Sequence, residues 1–176
     1  MVKEILSWVK LVAFTIAFAL FFNFFIIVNA VIPSGSMEQT IMTGDRIVAF
    51  RLSYVFNEPQ RNHIVIFPYP DSPRQELFVK RIVGMPGETI TIRGGIVYVN
   101  SQYGSEVHLY EPFINPVDTP WGDFGPVTIP EGAFFVMGDN RNNSLDSRAW
   151  INTFVMEEDI LGRAIFRYYP NISLLD

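Results

Sequence analysis

Two serines and one lysine carry the chemistry that this sequence offers. Ser34 and Ser36 stand in Pro33-Ser34-Gly35-Ser36-Met37, and Lys80 stands in Phe78-Val79-Lys80-Arg81-Ile82-Val83-Gly84. A serine hydroxyl becomes a nucleophile when a base takes its proton, and a lysine amine serves as that base if its surroundings keep it neutral. The neighbours of Lys80 are apolar, and strand alternation puts Lys80 and Phe78 on one face. If that face is buried, desolvation lowers the lysine pKa. From the ordinary value of ~10.4, a drop to ~8 makes roughly a quarter of the amine neutral at pH 7.5, for a cost of about 3 kcal/mol. Taken singly, each residue is ordinary: Ser-x-Ser suits any helix-to-loop junction, and a lysine beside Arg81 often snorkels from a surface.

A third segment, Gly138-Asp139-Asn140-Arg141-Asn142-Asn143-Ser144-Leu145-Asp146-Ser147-Arg148, follows an apolar run and is dense in hydrogen-bonding groups. Asp146 and Arg148 can pair within it, and the loop can fix a lysine ammonium. It does not read as a metal site. A calcium loop starting at Asp139 would need an oxygen ligand, a glycine and a glutamate where this chain has Arg141, Ser144 and Trp150. A Ser–His–Asp triad would have to draw on His63 or His108, the only histidines, and neither has a recognisable setting. Cysteine is absent, which excludes disulfides, thiolate metal sites and thiol catalysis. A net charge of −5 argues against nucleic acid as a partner.

The elements that must position these residues begin with an uncharged run. Leu11–Ile32 is 22 residues long, ~33 Å as a helix, enough to span a hydrocarbon core of ~30 Å. Lys3 and Lys10 precede it, Glu38 and Asp45 follow, and that bias places residues 1–10 in the cytoplasm. A cleaved signal peptide is the rival reading, with Val28-Asn29-Ala30 as a small-residue site, but the run is longer than a signal h-region. Residues 33–176 then make one extracytoplasmic domain. Short apolar runs predict strands at 46–50, 63–67, 76–83, 133–137 and 164–169, and Arg93-Gly94-Gly95 joins a hairpin of 89–92 and 96–99. A short helix is expected over 153–161, and an irregular lobe at about 100–126. Without long helices between strands, the fold class is mostly β and antiparallel behind one membrane helix. Sixteen phenylalanines suggest either a Phe-rich core or an apolar patch resting on the bilayer.

Together these segments resemble the bacterial type I signal peptidases. The resemblance rests on Pro33-Ser34-Gly35-Ser36-Met37, Gly44-Asp45, Lys80 through Glu88, Gly138 through Arg148, and Gly162-Arg163-Ala164, in order. It implies a membrane-bound serine endopeptidase that removes signal peptides from exported preproteins after small-x-small sites, on an unusual antiparallel β fold. It also implies Ser36 as nucleophile and Lys80 as general base, with Ser34 in the oxyanion hole beside the Ser36 N–H. Ser144 would orient the lysine nitrogen, with Asp146 and Arg148 bracing its loop, and Ile32, Met37 and Val79 would line the substrate pockets. No cofactor and no metal are implied; the partners are signal peptides and the lipid bilayer, and the place is the cell membrane, crossed once. Arg61-Asn62-His63 and Asn142 depart from the usual pattern. The alternatives are a peptidase of the same kind dedicated to one secreted substrate, and a non-catalytic anchored module that binds exported chains.

Overall fold

The structure is a computed structural model that describes residues 1–100, 104–114 and 120–175. Helix α1, Val2–Phe25, is apolar around its whole circumference and buries none of its residues against the rest of the chain. It is long and apolar enough to cross a membrane. Its limits differ from the expected 11–32: the helix starts near the amino terminus, and Ile27–Val31 is strand β1. β1 carries the β-branched residues Ile27, Val28 and Val31 and ladders onto β2, Arg46–Phe50. A continuous apolar run does not by itself distinguish helix from buried strand, and here the open β2 edge decides. Six of the sixteen phenylalanines lie on α1, which accounts for much of the excess.

The remaining strands are β3 (Ile64–Pro68), β4 (Leu77–Gly84), β5 (Thr89–Arg93), β6 (Ile96–Asn100), β7 (Val107–His108) and β8 (Phe124–Thr128). They continue with β9 (Ala133–Met137), β10 (Val155–Met156), β11 (Gly162–Tyr169) and β12 (Ser173–Leu174). The larger sheet runs β1-β2-β11-β3-β4-β9-β10, with β12 beside β11; the smaller runs β7-β6-β5-β8. Every pairing is antiparallel.

The expected lobe is not a separate appendage in its described part: β7 and β8 complete the small sheet around the β5–β6 hairpin. Residues 101–103 and 115–119 of that stretch lie outside the described residues. The helix expected over 153–161 is instead β10 and a 3-10 turn, Glu157–Asp159. So short a segment is a marginal helix, whereas Val155 pairs with Phe134 on the β9 edge and is fully buried there.

Three apolar clusters hold this frame. Ile64 and Ile66 of β3 face one cluster with Ile32, Met37, Ile41 and Ile47. Val65 and Phe67 face another with Ile82, Val136 and Trp150. A third, including Ile90, Val97, Ile129 and Phe135, joins the small sheet to β9. β3 and β4 from Lys80 onward are therefore buried at the centre of the molecule.

Candidate active site

The serines sit where β1 turns away from the sheet. Ile32 exchanges backbone hydrogen bonds with the loop behind it: its N–H donates to Asp45 and its carbonyl accepts from Gly44. Gly44 has φ +89°, a conformation that glycine adopts without a Cβ penalty. Asp45 is buried, accepts from the Met42 N–H and pairs with Arg167 at 2.9 Å. Pro33 follows Ile32, and Gly35–Met37 form a 3-10 turn that begins directly after Ser34. Met37 packs into the core and pins this turn from below. From above, Asn140 donates twice: its backbone N–H to the Ser36 carbonyl at 3.1 Å, and its side chain to the Gly35 carbonyl at 3.0 Å.

Lys80 comes from β4, opposite Val65 of β3. Its Nζ lies 2.6 Å from Ser36 Oγ, and the residue is only 3% exposed. The nitrogen also sits 5.1 Å from the centre of the Phe78 ring, as expected for residues on one face. Burial lowers the Lys80 pKa from 10.5 to about 8; Asp146 and Asp139 oppose the drop, and Arg148 adds to it. The amine therefore titrates near physiological pH, in hydrogen-bond contact with a serine hydroxyl.

The Gly138–Arg148 loop closes over this pair. Asp146 is fully buried; it accepts the Gly138 N–H at 3.0 Å and takes Arg148 at 2.8 Å and 2.9 Å. Arg148 also donates to the Arg141 carbonyl, so the expected brace spans the loop. Ser147, buried as well, exchanges hydrogen bonds with Val136 of β9. Gly138 is needed for close approach: a Cβ there would collide with Ser144 Oγ and the Ser36 carbonyl. Ser144 Oγ is buried against this spot and makes no hydrogen bond, to Lys80 or to any other group. Its expected role as orienter of the lysine is thus absent from the resting geometry.

Ile32, Met37 and Val79, expected as pocket residues, all line one groove of about 390 Å³ with Ser34, Ser36 and Lys80. Sequence reasoning missed Leu77, Phe78 and Leu145 on its walls. It also missed the most buried ion pair among the described residues. Arg81 is 1% exposed and grips Asp139 through Nε at 2.8 Å and a terminal nitrogen at 2.7 Å, while Thr40 donates to the same carboxylate. The available signal was an arginine inside an apolar strand, matched by an aspartate directly after another.

The two departures have local explanations. Asn62 adopts φ +71°, tolerable for asparagine, and its carbonyl accepts from Arg81. Asn142 accepts the Trp121 N–H at 3.2 Å. His63 lines a different cavity from Ser36, and His108 sits on the small sheet, so neither completes a triad. No cluster of three metal-ligating side chains occurs among the described residues.

An apolar membrane-length helix, an antiparallel β domain and a serine held against a buried amine describe a membrane-linked serine hydrolase. Sequence comparison narrows that class: the profile of the family described as signal peptidase, peptidase S26 matches residues 5–169, and the chain belongs to that family. It is 36% identical to signal peptidase I of Leptolyngbya laminosa, over 96% of this chain and 81% of that protein. It is 32% identical to signal peptidase I S of Bacillus subtilis, over 96% and 91% of the two chains. A solved signal peptidase I from Enterococcus faecalis is 33% identical, covers 61% of this chain and 97% of its own, and superposes with a TM-score of 0.48.

Proposed function

We propose that this chain is a membrane-anchored signal peptidase in which Ser36 is the nucleophile and Lys80 the general base. The observation that carries the reading is the 2.6 Å contact between Ser36 Oγ and a Lys80 nitrogen sealed from solvent. With the amine neutral, the Ser36 hydroxyl donates its proton to Nζ as Oγ attacks the scissile carbonyl carbon. The C–N bond breaks as Lys80 returns that proton to the leaving amine, leaving an acyl ester on Ser36. Water, deprotonated by the same amine, then hydrolyses the ester and frees the serine. Ser34 and the Ser36 N–H are the oxyanion donors in this scheme; Ser34 lies on the groove wall, two residues before the nucleophile. Such donors typically contribute a few kcal/mol each.

The substrate reading follows from the edge of β4. β3 covers one side of Leu77–Arg81, but β9 pairs only from Arg81 onward. Backbone at Leu77–Lys80 is left facing the groove, where an extended chain can add as a strand while side chains enter the apolar walls. Helix α1 supports the anchor: it leaves its apolar surface exposed all round, which water penalises and lipid does not. In this reading the chain crosses the membrane once, residues 1 onward start on the cytoplasmic side, and the β domain meets signal peptides on the far side.

The test is cleavage of a full preprotein by the detergent-solubilised chain beside Ser36→Ala, with the new amino terminus sequenced. A cut after a small-x-small site that disappears in Ser36→Ala is the expected result. Cleavage that survives in Ser36→Ala would overturn the assignment.

A further inference from the structure

Away from the groove, a polar cavity of about 260 Å³ is lined by Ser53, Tyr54, Asn57, Gln60, His63 and Arg163. Its position is set by the 3-10 turn Arg51–Tyr54. The Arg51 N–H donates to the carbonyl of Ile26, the residue that caps α1. On the sheet, Phe50 lies opposite Ile27 of β1 on one side and opposite Arg163 of β11 on the other. The cavity therefore sits at the end of the domain where the apolar helix leaves it.

Its chemistry is that of an anion receptor. Arg81, Arg141, Arg148 and Arg167 each hold a carboxylate. The guanidinium of Arg163, half-buried, forms no ion pair or hydrogen bond among the described residues. A partly desolvated guanidinium without a counter-charge is unfavourable, and a bound anion would relieve it. At His63 the Gln60 N–H donates to Nδ1, so the proton of the neutral ring is on Nε2 and that nitrogen is a donor. Burial holds this ring neutral, with a pKa of about 4. Ser53, Asn57 and Gln60 add neutral donors, while Glu58 is exposed and does not line the cavity.

The residues that follow the turn complete the picture. Val55 and Phe56 are 62% and 82% exposed. Cationic polar space beside an apolar tip, at the root of a membrane-length helix, suits an amphiphile. A soluble phosphate would match the cavity but leave Val55 and Phe56 without a role. We propose that this cavity binds the headgroup phosphate of an anionic phospholipid in the adjoining leaflet, with Val55 and Phe56 against its acyl chains. The inference rests on α1 as a membrane span and is independent of the catalytic assignment.

The experiment is native mass spectrometry of the detergent-purified full chain, titrated with phosphatidylglycerol and with phosphatidylcholine of the same acyl chains. Wild type is expected to retain phosphatidylglycerol roughly tenfold more strongly, the scale of one charge-assisted contact. Arg163→Gln should remove that preference. Asn57→Asp, an exposed change that adds negative charge at the cavity, should do the same without disturbing the core. Arg93→Gln, on the small sheet, should leave it intact. Equal retention of the two lipids by wild type, or an undiminished preference in both cavity variants, would overturn the proposal. Displacement of the lipid by equimolar glycerol 3-phosphate would overturn the lipid assignment and leave a soluble-phosphate site. Ser36→Ala should retain lipid as wild type does, so this test fails or succeeds apart from the peptidase reading. Extraction of membranes with alkaline carbonate reports on the span itself, and release of the chain there would remove the premise.

Discussion

Replacing Lys80 with methionine separates the proposed catalytic role of the buried amine from what the amine costs the fold. The folded pKa of about 8 lies below the ordinary 10.5, so the folded state disfavours the protonated lysine. The sign follows from proton counting. Between the two values the unfolded chain holds more protons than the folded one, so stability rises with pH through that window. Below about pH 8 the full penalty is present, on the order of 3 kcal/mol for a shift of this size; by about pH 10.5 most of it is gone. Lys80→Met keeps the apolar stem and removes the charge. It is expected to abolish cleavage, yet to be more stable than wild type at pH 7, by up to ~3 kcal/mol less the ~1 kcal/mol of the lost Ser36 contact. The gap should shrink by roughly the same 3 kcal/mol as pH rises to about 10.5. Denaturant unfolding followed by tryptophan fluorescence at several pH values measures this, and Trp150, packed against Phe78, is placed to report it. In parallel, wild-type kcat/KM should rise with pH and level off with a midpoint near 8, where the amine becomes neutral. A stability gap that does not change with pH, together with activity still climbing tenfold per unit at pH 10, would refute the neutral-amine argument.

Three other outcomes follow from the geometry. Asp139→Ala leaves the buried Arg81 guanidinium without its carboxylate and should cost about 3–5 kcal/mol in denaturant unfolding. Gly138→Ala forces a Cβ into Ser144 and the Ser36 carbonyl, so kcat should fall by about tenfold or more through displacement of the turn that carries Ser36, the proposed nucleophile, on the scale seen for small misplacements of reacting groups. Ser144→Ala removes a buried hydroxyl that has no partner in the resting state, so stability should change by less than ~1 kcal/mol. If the hydroxyl takes up the lysine nitrogen only during the reaction, the same variant lowers kcat while leaving KM and Tm in place. A wild-type kcat in Ser144→Ala would remove Ser144 from the mechanism.

Local sequence was sufficient wherever a short-range rule applied. Short apolar runs marked β2, β3, β4, β9 and β11 to within two residues at their ends, and the Gly94-Gly95 turn announced the β5–β6 hairpin. Ser36 and Lys80 were legible as a pair because each sits in a short motif whose residue types suit the chemistry. Lys80 and Phe78 were placed on one face because strand alternation is a local property of the backbone. Everything that required two distant segments to meet was decided by tertiary structure. β1 reads as the tail of an apolar helix and becomes a strand because β2 offers it a ladder. The 153–161 segment becomes an edge strand because β9 has a free side. The Arg81–Asp139 pair bridges 58 positions, and neither partner reveals in isolation that burial will force it to find the other. The lysine pKa is the clearest case: sequence supplies the amine and its apolar neighbours, but its value comes from exclusion of water by a loop more than fifty residues downstream and from the carboxylates that loop brings along.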